Sequence, residues 1–487
     1  MNLYVRKLIL SLWVVAITTD ISNGCPEQCS CYSTTNGNDV SCEFQDLHSI
    51  PLNLGLPNDT YKLSVHSSSL PKIEDTDFSN LGNLTVLRME YNGIFVISDN
   101  AFRYSRNLQI LRMEDNKLLY LQGKLFVNNE HLIYLDFKSN AISTIEVEVF
   151  GRLVNLETLR LNNNKISSLD KRLFSNLTNL KTLSISNNLI TNIEDNTFIN
   201  LINIESLNIF DNRKMNRLTA FIFQNLTEVT VIDLKQCVIE TIEANAFFNI
   251  TGPLVLSLQN NKIREIHNKA FRDLTGVEII NLDDNFLQTV KSETFVNMPK
   301  LKVLTIRRNR IFHIEVNAFG ELPELFFLSV LSNTLICDCR IRSFRLWILQ
   351  QTSTIVDGAI CSEQNGQLIK DILNVEECKE TTTEIESSTI TSESAETTQT
   401  IVITKTNNNV NQASSNISNL LGIIACTVSA MAFITIIIYI VIKTRCSNRS
   451  SVHKQNKTGK QEEIVGYDLA ETPNCYSNEY DLPQEAI

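Results

Sequence analysis

Asparagine returns along this chain at a nearly constant interval of 24 residues, and this period constrains the fold more than any other feature of the sequence. Position 237, in the one longer gap, is Cys, and position 68 extends the series backwards with Ser. A period of this length is typical of a solenoid, in which each repeat packs only against its neighbours. The periodic asparagines are Asn92, Asn116, Asn140, Asn164, Asn188, Asn212, Asn261, Asn285, Asn309 and Asn333.

Hydrophobic residues surround each of these positions in the pattern L-x-x-L-x-L-x-x-N-x-I-x-x-I, as in Leu156, Leu159, Leu161, Asn164 and Ile166. The pattern resembles the leucine-rich repeat, whose period is about 20–29 residues. The resemblance covers twelve repeats. It implies an α/β-type leucine-rich repeat solenoid, with a curved parallel sheet, a mostly irregular convex side and a cap at each end.

The periodic Asn is expected to occupy a buried turn, where its amide bonds to backbone groups that the strand leaves unpaired. A Phe follows most of these positions by ten residues and is expected to pack the convex side. Cys237 takes the place of one Asn. We interpret it as a small buried residue, with a reactive or inter-chain thiol as the alternative.

Two groups of four cysteines flank the repeats, and zinc binding is one interpretation of such groups. Residues 1–24, however, place Arg6 and Lys7 before an apolar run, which predicts a secretory signal peptide. An oxidising compartment favours disulfides, and spacing alone allows three pairings in each group. Both groups resemble the caps of extracellular leucine-rich repeat proteins. That resemblance implies the pairs Cys25–Cys31, Cys29–Cys42, Cys337–Cys361 and Cys339–Cys378.

The segment 420–442 has no charged residue and is long enough to cross a bilayer, at about 1.5 Å per helical residue. Basic residues follow it, so the chain is expected to be a single-pass type I plasma-membrane protein with its N-terminus outside. The predicted parts are a signal peptide (1–24), an N-terminal cysteine cap (25–57), the repeats (58–335), a C-terminal cap (336–378), a Ser/Thr-rich stalk (379–419), the membrane span (420–442) and a cytoplasmic tail (443–487).

Ligand binding is expected on the concave face, at positions that lie two, four and six residues before each periodic Asn. Arg and aromatic residues are enriched at binding hot spots, and repeats two to five carry both. The alternative is a solvated face whose charges pair with each other. The candidate ligand-binding residues are Arg88, Glu90, Tyr91, Arg112, Glu114, Tyr134, Asp136, Lys138 and Arg160.

Two further groups of residues are candidates for a functional site. Arg307, Arg308 and Arg310 form a second basic group, near Phe327. Repeat seven contains one extra residue and places Lys214 where an apolar residue belongs, which marks either a functional site or a tolerated bulge. N-glycosylation is expected at the sequons that begin at Asn58, Asn83, Asn176, Asn225 and Asn249.

The predicted tail is too short for a kinase or a Toll-type signalling domain, so only short motifs remain. Tyr476-Ser477-Asn478 resembles a ligand of phosphotyrosine-binding adaptors, and the terminal Ile487 resembles a PDZ ligand. A cytosolic adaptor or a PDZ protein is therefore an expected partner.

Nothing in the sequence forms a catalytic constellation, a metal cluster or a phosphate-binding loop, so we expect no enzyme and no cofactor. The net charge of −11 gives no indication of nucleic-acid binding. The chain resembles single-pass leucine-rich repeat surface proteins such as the connectin, capricious and tartan group and the leucine-rich repeat transmembrane neuronal proteins. That resemblance implies adhesion or recognition of an extracellular protein, including a second copy of itself. The alternatives are a co-receptor that modulates another receptor in the same membrane and a pattern-recognition receptor.

Overall fold

The computed structural model describes residues 25–26, 29–43, 56–66, 69–271, 274–362 and 366–372. All of them belong to one compact unit, Met1–Thr383. The predicted signal peptide, stalk, membrane span and tail lie outside the described residues.

One continuous sheet of 15 strands runs through the described part of the chain. Its first two strands form an antiparallel hairpin, and every later strand pairs in parallel with the strand before it. The strands of the sheet are Cys29–Thr34, Gly37–Glu43, Thr60–His66, Val86–Arg88, Ile110–Arg112, Tyr134–Asp136, Thr158–Arg160, Thr182–Ser184, Ser206–Asn208, Val231–Asp233, Val255–Ser257, Ile279–Asn281, Val303–Thr305, Phe327–Ser329 and Ile355–Asp357.

The leucine-rich repeat solenoid is therefore confirmed, and its sheet is longer than the repeats alone predict. The twelve repeats supply the strands from Thr60–His66 to Phe327–Ser329. The caps extend the sheet at both ends, with the hairpin on one side and Ile355–Asp357 on the other. Because the caps pair with the terminal repeats, neither end of the repeat array is an open sheet edge.

The convex side carries only short elements. Two-residue strands pair in small groups: Lys72–Ile73, Val96–Ile97, Tyr120–Leu121, Thr144–Ile145, Arg217–Leu218, Thr241–Ile242, Glu265–Ile266, Thr289–Val290 and His313–Ile314. The 3-10 helices are Val147–Phe150, Cys339–Ile341 and Ile369–Asp371, and the described α-helix is Arg342–Gln350. Among the described residues, no helix has the length and apolar composition needed to cross a bilayer.

The periodic asparagines link successive repeats, as Asn164 shows. Its Nδ2 donates to the carbonyls of Phe137 at 2.9 Å and Leu161 at 3.0 Å. Its Oδ1 accepts from the backbone N–H of Ile142 at 2.9 Å. One buried side chain thus satisfies backbone groups of two repeats, which is the role that the sequence predicts.

The convex side of the core is a stack of phenylalanines. Phe198 is fully buried, and its ring centroid lies 6.1 Å from that of Phe174 and 5.9 Å from that of Phe223. The stack continues through the later repeats and ends on the C-terminal cap, where Phe319 contacts Phe344 and Trp347. The core is therefore continuous from the repeats into this cap.

Disulfides fasten both caps. The N-terminal cap contains Cys25–Cys31 and Cys29–Cys42, and the C-terminal cap contains Cys337–Cys361. Cys339 is disulfide-bonded as well. Its predicted partner Cys378 lies outside the described residues.

Candidate functional site

Four of the candidate ligand-binding residues form one row on the concave face. The parallel register places Arg88 beside Arg112, Arg112 beside Asp136, and Asp136 beside Arg160. These neighbours come from consecutive strands, which lie about 4.8 Å apart in a sheet. We call this group, with Glu90, Glu114 and Tyr134 next to it, the concave cluster.

Tyr134 and Asp136 form the centre of the concave cluster. The Tyr134 hydroxyl donates to Asp136 Oδ2 at 3.0 Å, and the backbone N–H of Lys138 donates to Asp136 Oδ1 at 2.9 Å. The guanidinium carbons of Arg112 and Arg160 lie 5.2 and 5.5 Å from the centre of the Tyr134 ring. Burial, followed by the charge of Asp136, raises the pKa of Tyr134, so this hydroxyl remains a hydrogen-bond donor at neutral pH.

Two acids lie beside the arginine row. Glu90 Oε2 lies 3.4 Å from Nδ1 of His66. Burial and the nearby charge of Asp136 raise the pKa of Glu114 to about 7. Glu114 is therefore partly protonated near neutral pH and can either donate or accept a hydrogen bond.

Four buried polar atoms of the concave cluster have no hydrogen-bond partner among the described residues. They are Arg88 Nε, Glu90 Oε2, Arg112 Nε and Glu114 Oε2. A buried polar atom without a partner costs about 1–3 kcal/mol. The concave cluster thus holds hydrogen-bonding capacity that the fold itself does not use.

Two of the sequence-predicted contact residues are less accessible than the pattern indicates. Asp136 is 1% exposed and Glu90 is 6% exposed, because neighbouring side chains cover them. Asp136 therefore acts inside the cluster, where it accepts hydrogen bonds from the Tyr134 hydroxyl and the backbone N–H of Lys138. Tyr91, by contrast, is accessible, since it is 64% exposed at the border of the concave face. Its backbone is left-handed, with φ of 60°.

The second basic group has a structural explanation. Arg307 pairs with Asp283, with its Nε 2.8 Å from Oδ2, and Arg308 pairs with Asp284 in the same way at 2.5 Å. Phe327 is 4% exposed. Acids of the preceding repeat neutralise these two arginines, whereas Arg310 is exposed and is in none of the ion pairs among the described residues.

The extra residue of repeat seven is accommodated as a bulge. Lys214 is exposed, and Met215 fills the buried position instead. The backbone N–H of Met215 donates to the carbonyl of Asn212 at 3.0 Å. Position 237 in the next repeat would otherwise supply an Asn oxygen for that N–H, so the bulge compensates for Cys237. The Cys237 thiol donates to the Ile209 carbonyl at 3.6 Å, and burial raises its pKa to about 12.

Four of the five sequons lie in loops that follow the phenylalanine column, and Asn58 lies before the first repeat strand. Asn58, Asn83 and Asn176 are exposed, whereas Asn249 donates its Nδ2 to Asn225 Oδ1 at 2.8 Å. Glycosylation of all five stays a prediction. The tail residues Tyr476, Asn478 and Ile487 lie outside the described residues, and their motifs also stay predictions.

A second row of asparagines, which the sequence interpretation missed, braces the loops between repeats. Their Nδ2 atoms donate to carbonyls 25 residues earlier: Asn107 to Gly82, Asn155 to Glu130, Asn179 to Val154 and Asn203 to Thr178. The sequence contains a pattern that could have predicted this row, because these residues lie 15 positions after the periodic Asn. The row is structural and lies away from the concave cluster.

Known proteins share this architecture. The leucine rich repeat family model matches residues 60–118, 106–166, 154–213, 227–285 and 275–335, which together make up more than half of the chain. A chain in the octameric complex of Latrophilin 3, Unc5D and FLRT2 (LRR) aligns with a TM-score of 0.54 at 21% identity, covering 73% of this chain and all of that one. The Toll–Spatzle complex of Drosophila aligns with a TM-score of 0.49 at 21% identity, covering 68% of this chain and 54% of that one.

Among curated proteins, immunoglobulin superfamily member 10 of Homo sapiens is 34% identical over 88 residues. That match covers 18% of this chain and 3% of the relative, and the Rattus norvegicus protein matches to the same extent. The chain thus spans a very small part of these relatives. The repeat pattern, the sheet and the family match agree, and the chain belongs to the leucine rich repeat family.

Proposed function

We propose that this chain is a single-pass type I cell-surface receptor or adhesion protein, and that its solenoid binds a protein ligand through the concave cluster. The observation that carries the proposal is the set of unpartnered buried atoms on Arg88, Arg112 and Glu114. Arg88 and Arg112 also lie directly side by side in the sheet. Like charges in neighbouring strand positions destabilise a sheet, so a ligand that supplies an acid would relieve this cost.

Two further observations support the proposal. Disulfides in both caps fit an oxidising, extracellular compartment. The solved complex of FLRT2 (LRR) with Latrophilin 3 and Unc5D shows that a similar solenoid assembles with other proteins. Fold likeness does not choose the ligand, because the ligand depends on exposed residues that vary on one scaffold.

A cell-aggregation assay tests the proposal. Suspension cells that express the full chain are mixed with differently labelled cells that lack it. Clusters of expressing cells alone would establish binding between copies of this chain, and mixed clusters would establish a ligand on other cells. If no clusters form, adhesion is wrong, and a co-receptor in the same membrane or a receptor for soluble ligands is favoured.

The concave cluster is tested in the same assay with the double variant Arg88→Glu/Arg112→Glu. Reversal of both charges at a hot spot is expected to remove at least about 2 kcal/mol of binding and abolish clustering at equal surface expression. The control is Lys124→Glu/Arg152→Glu, which changes two exposed residues of the convex side by the same charge. Unchanged clustering by the concave variant would place the contact on another surface.

A further inference from the structure

A row of cations runs along one flank of the solenoid, at the position directly after each periodic Asn. Every second repeat carries Lys or Arg there, and the repeats between them carry mainly small or apolar residues. We call this the cationic row: Lys117, Lys165, Arg213, Lys262 and Arg310. The intervening residues are Gly93, Ala141, Leu189, Val238, Phe286 and Thr334, so no acid interrupts the row.

Backbone hydrogen bonds fix the residues of the cationic row to the preceding repeat. The N–H of Lys117 donates to the Ile94 carbonyl at 2.7 Å, and the N–H of Lys165 donates to the Ile142 carbonyl at 2.9 Å. The same bond to the preceding repeat recurs at Lys262. Because neighbouring repeats lie about 4.8 Å apart, successive cations are spaced by about 10 Å.

The charges of this row are largely uncompensated. All five cations are exposed. Among the described residues, the ion pair in the row joins Arg213 to Asp211 at 2.6 Å. The nearby acids Asp115 and Asp284 have other partners, since Asp115 hydrogen-bonds to Tyr91 and Asp284 pairs with Arg308.

An additional arginine joins the row in its C-terminal half. The guanidinium carbons of Arg264 and Arg310 lie 6.0 and 4.4 Å from the centre of the Phe286 ring. Both arginines are exposed, and no described acid pairs with either of them. The ring holds two cations close together on the surface without neutralising them.

The flank that carries the cationic row is also distant from the sequons in the repeat. Asn83, Asn176, Asn225 and Asn249 follow the periodic position by 12 to 15 residues, beyond the phenylalanine column. The cationic residues follow it by one. N-linked glycans at these sequons would project from the loops on the other side of the repeat.

We propose that the cationic row binds a linear sulfated polysaccharide laid along the solenoid axis. Basic patches on a surface attract polyanions even when the whole chain is acidic, because the local field decides the contact. A row of long, exposed side chains at regular spacing fits an extended polymer with repeated charges. A compact ligand would instead need a pocket. This surface is separate from the concave cluster and does not depend on the proposed protein ligand.

The experiment measures retention of the full chain, in mild non-ionic detergent, on immobilised heparin during a salt gradient. The wild-type chain is expected to remain bound at an ionic strength of about 0.15 M, where exposed charges separated by more than about 8 Å are screened. The test variant replaces Lys117, Lys165, Lys262, Arg264 and Arg310 with Gln. It is expected to elute below that salt concentration.

A control variant replaces the same number of exposed cations elsewhere, namely Arg106, Lys124, Lys171, Lys269 and Lys300 with Gln. It has the same net charge as the test variant and is expected to elute like wild type. Losing five contacts should reduce the magnitude of the slope of log affinity against log salt by about 4.5, taking about 0.9 per contact as in duplex DNA. Matching thermal melts exclude unfolding.

Three outcomes would overturn the proposal. The first is that the wild-type chain is not retained at about 0.15 M salt, which is the physiological ionic strength. The second is that the two variants shift equally, so that net charge alone explains retention. The third is that single-stranded DNA of equal charge displaces the chain as well as soluble heparin does, so that the row has no preference for the sulfated polymer.

Discussion

At the scale of single residues, the neighbours in space decide the chemistry of the candidate site. Glu114 is one of several acids in its part of the sequence, yet burial raises its pKa from 4.5 to about 7. Asp136 likewise follows the same period as the arginines beside it, but it lies underneath Tyr134 and Arg160. The period shows which residues share the row, whereas side-chain packing decides which of them a ligand can touch.

The stability of the repeats is expected to fall as pH rises from about 4.5 to about 7. In this window the unfolded chain has released the proton of Glu114 while the folded chain still holds it, so folding costs more at higher pH. Urea unfolding as a function of pH measures this slope.

The variant Glu114→Gln is expected to reduce the slope and to be more stable than wild type at pH 8. The control Glu130→Gln changes an exposed carboxyl and should leave the slope unchanged. Equal slopes in Glu114→Gln and wild type would show that other groups cause the dependence.

At the scale of elements, a repeat is stable because its turn is bonded to the turn before it. The residue preceding the periodic Asn has a left-handed backbone, such as Asn163 with φ of 58°. This conformation aims the next side chain into the core, where Asn164 meets the backbone of the preceding repeat. The sequence predicted this element well, since the Asn recurs in ten of the twelve repeats.

Asn164→Ala is expected to destabilise the chain by about 2–4 kcal/mol, because it leaves several buried backbone groups without partners. Asn107→Ala is the control, since it removes one exposed hydrogen bond of 3.0 Å to Gly82 and should cost less than about 1 kcal/mol. The midpoints of urea unfolding, followed by circular dichroism, measure both. Similar costs for the two variants would contradict a special role of the periodic Asn.

At the scale of the whole molecule, stability is shared between neighbours along one dimension. The hairpin of the N-terminal cap pairs with the first repeat, and the Cys29–Cys42 bond fastens that hairpin. The C-terminal cap covers the other end with Phe344 and Trp347. A defect at one end should therefore affect nearby repeats and leave distant ones intact.

Cys29→Ala/Cys42→Ala is expected to remove about 3 kcal/mol from the N-terminal end, the amount typical of a loop of this size. Amide hydrogen exchange should accelerate in Thr60–His66 and Val86–Arg88 but not in Phe327–Ser329. Cys237→Ala, which removes a thiol without a cross-link, is the control. Uniform loss of protection over all repeats would show that the solenoid unfolds as one unit.

The sequence by itself determined the period, the strand positions and the residues that share each row, because a solenoid brings equal positions of successive repeats together. It also indicated the cap cysteines through resemblance to a known family. Tertiary structure alone decided which charges remain available: Asp283 and Asp284 neutralise Arg307 and Arg308, while Arg88 and Arg112 keep unpaired atoms. The physical reason is that hydrogen bonding and burial depend on side-chain conformations across repeats, and a linear pattern does not specify them.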